Sequence, residues 1–133
     1  MTRREQDVVA ALAQGLVAPV PPLPPVGATD TIAAFQAALD AGPALNRLGL
    51  RVALRLLDRR APRLVGERRP LRALEAARQE AALAAARGDR VLGPALEPLR
   101  GMVQLSYYGD AGVLRTLGYD PGAVVARATE ARR

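Results

Sequence analysis

The residues of this chain that could do chemistry are few, and their spacing suits chemistry poorly. Two carboxylate pairs come closest to acid–base geometry, Glu75 with Glu80 and Asp110 with Asp120. General acid–base catalysis needs two carboxyls converging on one reacting atom with pKa values pushed apart. Both pairs fall instead on helix faces or at helix starts, where solvated charge and capping account for them. The segment Gly109-Asp110-Ala111-Gly112 has glycines like those of a phosphate-cradling loop. It lacks the preceding strand and the lysine such a loop requires, and reads as a turn followed by a cap. The chain has no histidine and no cysteine. That removes imidazole bases, thiolate nucleophiles and the commonest transition-metal ligands together. No catalytic, cofactor-binding or metal-ligating residue is assigned, and the expectation is a protein that binds rather than catalyses.

The basic residues carry a second possibility. All 19 are arginine, and the net charge is +6. The excess is uneven: nine arginines lie between Arg47 and Arg72, against two acids, Asp58 and Glu67. Arg47, Arg51, Arg55 and Arg59 recur every four residues, which on a helix makes one stripe over roughly a third of the circumference. Such a stripe could face an acidic protein surface, a nucleic acid or an anionic membrane. No aromatic residues are interleaved for base stacking, and no helix-turn-helix pattern is present. A basic nucleic-acid-binding protein using this stripe is therefore the alternative reading, not the leading one.

The aromatic residues are only four, Phe35, Tyr107, Tyr108 and Tyr119, and three of them fall between Ser106 and Asp120. Tyrosine buries a large area while keeping a polar tip, which suits anchoring contacts and equally suits a local mini-core. Tyr107, Tyr108, Leu117 and Tyr119, with Arg51 and Arg55 offering charge, are the candidate partner-binding residues.

The elements that must position these residues are helices throughout. No strand-like alternation and no repeat appear, so the expected fold is a single all-α domain, residues 1–133, with five to seven irregularly packed helices. Thr2 and Glu5 stand as N-cap and N3 of a capping box, followed by Val8, Val9, Leu12 and Leu16 at helical spacing. Gly15 weakens that helix and Pro19 ends it. Residues 19–28 read as a Pro-rich extended connector, because five prolines in Pro19–Pro25 exclude helix interior. A groove ligand of the SH3 type is the sharper reading of the same prolines. A second helix starts near Thr29 or Asp30, uses Ile32, Phe35, Ala38 and Leu39, and stops at Gly42-Pro43. The third, about Ala44–Arg59, is so rich in leucine and valine that it is expected at the centre, with the arginine stripe its one outlet. A fourth is expected from Pro70 to Arg87, with Leu71, Leu74, Ala77, Ala81 and Leu83–Ala85 inside. A fifth covers about Ala95–Tyr107 with Pro98 in its first turn. Asp110 then caps a short helix to Leu117, closed by Gly118 inside a Tyr-bearing turn, residues 106–121. Asp120-Pro121 opens a last helix to about Ala131.

One stretch carries a family resemblance. The run from Leu99 through Ser106-Tyr107-Tyr108-Gly109-Asp110, followed by Leu117-Gly118-Tyr119-Asp120, resembles the C-terminal signature of the gluconate 2-dehydrogenase subunit 3 family. The capped opening from Thr2 to Pro19 and the Leu56-Leu57-Asp58 segment are similar as well. The resemblance implies a non-catalytic small (gamma) subunit that stabilises or matures a larger GMC-type FAD-dependent oxidoreductase acting on a sugar or alcohol. FAD is then expected in the large flavoprotein subunit and none in this chain, and the assembly is a hetero-oligomer. Members of that family often carry a twin-arginine export signal. Here Arg3-Arg4 is followed by Glu5, Gln6 and Asp7 rather than an apolar stretch. The expected location is cytoplasmic, with a periplasmic or extracellular site beside an exported partner as the alternative. No segment reaches the roughly 20 apolar residues of a transmembrane helix.

Overall fold

The computed structural model describes residues 1–118 and 129–132. These residues form an all-α fold, and no strand occurs among them. Six α-helices lie wholly within the described residues: α1 (Arg3–Val17), α2 (Thr31–Ala41), α3 (Ala44–Arg60), α4 (Ala76–Arg87), α5 (Leu92–Tyr108) and α6 (Ala111–Thr116), and residues 129–131 are helical as well. Three short 3-10 turns, Val26–Ala28, Pro62–Val65 and Leu71–Ala73, join them. None of the described helices is long and apolar enough to cross a membrane. The last expected helix falls mostly on residues 119–128, outside the described residues.

The capping box at the start of α1 is formed in full, with Thr2 Oγ1 accepting from Glu5 N and Glu5 Oε1 accepting from Thr2 N. At the other end Ala18 takes a left-handed conformation and closes onto the Gln14 carbonyl just before Pro19. The connector is not extended as expected: it turns at Pro21-Pro22, where Leu23 N donates to the Val20 carbonyl, and after Pro25 it winds into the Val26–Ala28 turn. Val26 drops into the core there, which a straight connector would not allow.

The centre of the bundle is not α3 but α5. It touches α1, α2, α3, α4 and α6 and buries Leu92, Leu96, Leu99, Val103, Ser106 and Tyr107. It also begins earlier than its prolines suggest. The Asp89 carboxylate accepts from Val91 N and Leu92 N and starts the helix at Leu92. Pro98 therefore stands inside the helix, on its exposed side, rather than in the first turn. α3 lies against the outside of the bundle and buries only Ala53, Leu54, Leu57 and Asp58. Apolar richness alone cannot separate a central helix from a peripheral one with an uncovered side.

The fourth helix also differs from expectation. Pro70 opens only a 3-10 turn, Leu74 is extended, and α4 starts at Ala76. Groups from elsewhere take the backbone of this stretch. Asp58, buried on α3, accepts from the Arg72 amide and pairs with its guanidinium, while Gln79 Nε2 donates to the Leu71 carbonyl. Leu71, Leu74 and Leu83 reach the core as expected, but inside α4 the other buried residues are Gln79, Ala82 and Ala86 rather than Ala77, Ala81, Ala84 and Ala85.

Gly15 has a packing role. A Cβ placed there would stand 2.5 Å from Leu83 Cδ1 and 3.2 Å from the Gln79 carbonyl oxygen. The missing side chain lets α1 seat directly on α4.

Candidate functional site

Tyr107 is fully buried, and its hydroxyl donates to the Pro24 carbonyl at 2.6 Å. Tyr108 follows it on the exposed side, with the two rings edge-to-face at 5.2 Å and 84°. Burial holds the Tyr107 hydroxyl above its usual pKa, with small additions from Tyr108 and Asp110. So Tyr107 shapes this region from within by tying the proline connector to α5, and Tyr108 is the ring that meets solvent. Leu117 is exposed as well. Tyr119 lies outside the described residues.

The turn after Tyr108 is built by Asp110. Its Oδ2 accepts from Gly112 N and Val113 N, capping α6 as expected. Its Oδ1 accepts from Asp30 N at 2.9 Å, which fastens the turn to the start of α2. The Asp30 amide, followed by the Val113 and Gly112 amides and Arg115, holds the Asp110 carboxyl below the usual aspartate range. Asp110 is thereby a structural acid. Glu75 and Glu80 lie exposed on or beside α4. Among the described residues no group of three or more His, Cys, Asp or Glu is placed to hold a metal ion.

The arginine stripe does not act as one face. Over its span of about 120° the surroundings change, with Arg47 and Arg51 half-buried and Arg55 and Arg59 exposed. Arg51 turns toward α1, where its Nε donates to Glu5 Oε2 at 2.7 Å and its Nη2 to Glu5 Oε1 at 2.9 Å. Glu5 is only 2% exposed and also accepts from Thr2 N and Thr2 Oγ1. These two residues fill the carboxylate's acceptor sites. The Arg51 guanidinium holds the Glu5 carboxyl at about 2, with Thr2 assisting and burial opposing. Arg51 is thus committed to the fold, while Arg55 and Arg59 remain exposed.

The side of α3 that carries Arg55 and Arg59 is otherwise apolar and uncovered. Leu45 is 79% exposed, Leu48 61% and Val52 56%. The sequence predicts an outlet to solvent through arginine alone, whereas the helix opens chiefly through leucine and valine. Between α3 and α5 runs a groove of about 590 Å³, whose walls include Leu50, Ala53 and Leu56 on one side and Ala95, Pro98 and Met102 on the other. Asn46 is the one polar side chain on its lining. A Cβ at Gly49 would meet open space, so this glycine widens the groove. Leu105, three residues beyond Met102, is 78% exposed. Sequence reasoning missed Leu45, Leu48, Val52 and Leu105 as surface residues. The signal that could have found them was an excess of apolar residues on α3 over what one buried side can use.

The chain matches no protein-family model, no curated protein and no solved structure.

Proposed function

We propose that this protein is a non-catalytic docking subunit that binds and stabilises or matures a larger GMC-type FAD-dependent oxidoreductase acting on a sugar or alcohol. The observation that carries the docking role is the uncovered apolar surface of α3 and α5, with Leu45, Leu48, Val52 and Leu105 all more than half exposed. Contiguous exposed apolar residues beside a charged rim mark protein-binding surfaces, whereas scattered single ones need no explanation. The resemblance of the Ser106–Asp110 and Leu117–Asp120 segments to gluconate 2-dehydrogenase subunit 3 supports the choice of partner. Tyr108 and Leu117, both exposed, are available to the same partner. FAD would sit in that partner, and the working unit would be a hetero-oligomer.

Co-expression with a GMC-type flavoprotein encoded beside this chain, followed by size-exclusion chromatography, tests the proposal. The expected result is co-elution, with more soluble, flavin-loaded large subunit than when it is expressed alone. Separate elution, with the large protein soluble and active by itself, would reject it. The nucleic-acid alternative predicts affinity that falls steeply with salt. It loses Arg51 to Glu5 and must accommodate leucines between its remaining arginines.

A further inference from the structure

We infer that the groove between α3 and α5 receives an acidic amphipathic helix from the partner protein. The inference rests on the docking reading above, but not on the partner being a flavoprotein. Three features of the groove select this occupant.

The first is shape. Leu45, Val52 and Leu56, seven and four residues apart, line one helical wall over about 16 Å or three turns, with exposed Leu48 at its outer edge. Pro98 and Met102 belong to the facing helix. A trough between two helical walls accepts a third helix presenting apolar anchors at i, i+3 or i+4, and i+7. The second is polarity. Small-molecule pockets use several convergent polar groups to fix their ligand, and here Asn46 stands alone. The third is charge. The only acid on α3, Asp58, is buried against Arg72, and the only acid on α5, Glu97, is paired with Arg100 at 3.3 Å. Arg55 and Arg59 stand exposed on the same helix as the leucines. Val52 and Leu56 are on the groove wall, and Arg55 lies three residues beyond the first and Arg59 three beyond the second, so that wall's outer edge is apolar and positive and its complement is apolar and negative.

Charge also separates this occupant from a second copy, which would bring the same arginines and a net charge of +6 against them. Shape separates it from an anionic bilayer, which takes up a protruding apolar face, whereas this surface is concave.

The test titrates the full-length chain into two labelled synthetic amphipathic helices of equal length and identical leucine positions, one with glutamate on its polar face and one with lysine. The acidic peptide is expected to bind, with affinity falling as salt rises, and the basic peptide to bind at least tenfold more weakly. Val52→Glu, on the groove wall, is expected to weaken the acidic peptide by about tenfold or more, as for a central anchor residue, and Leu48→Glu, at the wall's outer edge, to weaken it less but measurably. Both positions are exposed, so circular dichroism melts of the variants should match the parent. Absence of acidic-peptide binding, equal binding of both peptides, or indifference to Val52→Glu overturns the inference. Sedimentation equilibrium showing a dimer that Leu48→Glu dissolves overturns it in favour of a second copy. Co-flotation with phosphatidylserine–phosphatidylcholine vesicles, lost in Leu48→Glu, overturns it in favour of a membrane. A flavoprotein complex that survives both substitutions rejects the groove while leaving the accessory-subunit reading in place. Acidic-peptide binding with no flavoprotein complex supports the groove and rejects that partner.

Discussion

The hydroxyl of Tyr107 and the carbonyl of Pro24, 83 residues apart in the chain, form a 2.6 Å hydrogen bond inside the bundle. It joins the central helix to the proline connector at the last residue but one before the Val26–Ala28 turn. The ring fills the core and the hydroxyl holds the prolines against it.

Tyr107→Phe keeps the ring and strands the Pro24 carbonyl. The expected loss is about 1–2 kcal/mol, read from the urea midpoint at unchanged m-value. Limited proteolysis should then cut sooner within residues 19–25. An unchanged midpoint and cutting pattern would show that the bond does not anchor the connector.

The Glu5–Arg51 pair makes acid stability testable. Folding lowers the Glu5 pKa from 4.5 to about 2, so the unfolded chain takes up a proton at a pH where the folded chain does not. The pair's contribution is complete above pH 4.5, declines as pH falls toward 2, and is gone below that. Arg51 is partly exposed, so solvent screening keeps the contribution well below what the full shift would give. Glu5→Gln should flatten this part of the stability–pH curve. Arg51→Met should cost more than Glu5→Gln at pH 7, because it leaves a buried carboxylate without its cation.

Two glycine-to-alanine substitutions should have opposite signs. Gly101 lies inside α5 with nothing within 4 Å of where a methyl would stand, so Gly101→Ala should stabilise by about 0.5–1 kcal/mol. Gly15 is also helical, but its methyl would press on buried Leu83 and the Gln79 backbone. Gly15→Ala should destabilise by about 1–3 kcal/mol despite its better helix propensity. Thermal melts of the two variants side by side decide the matter, and a stabilised Gly15→Ala would refute the α1–α4 seam.

Asp110→Ala removes the α6 cap and the tie to Asp30 in one step. The expected cost is about 1–2 kcal/mol. Amide hydrogen exchange should accelerate at Gly112, Val113 and Asp30 together. Acceleration confined to Gly112 and Val113 would mean that the link to α2 carries no energy.

The sequence by itself determined the helical class and most helix ends, because those rest on groups within a few residues of one another. The Thr2–Glu5 box, the Asp110 cap, the stops at Pro19 and Gly42-Pro43, and the apolar spacing of Val8, Val9 and Leu12 are all of this kind. Local pattern misled at Pro70 and Pro98, where Asp58, Gln79 and Asp89 set the helix starts through side-chain hydrogen bonds. Only the tertiary structure decided which apolar residues are covered. Periodicity tells which residues of α3 share a side, but not how many neighbours that helix has. It could not show that Arg51 turns in to Glu5, 46 residues away, or that Tyr107 is buried while Leu48 is not. The candidate binding surface follows from what the other helices leave uncovered, and no segment of sequence encodes that alone.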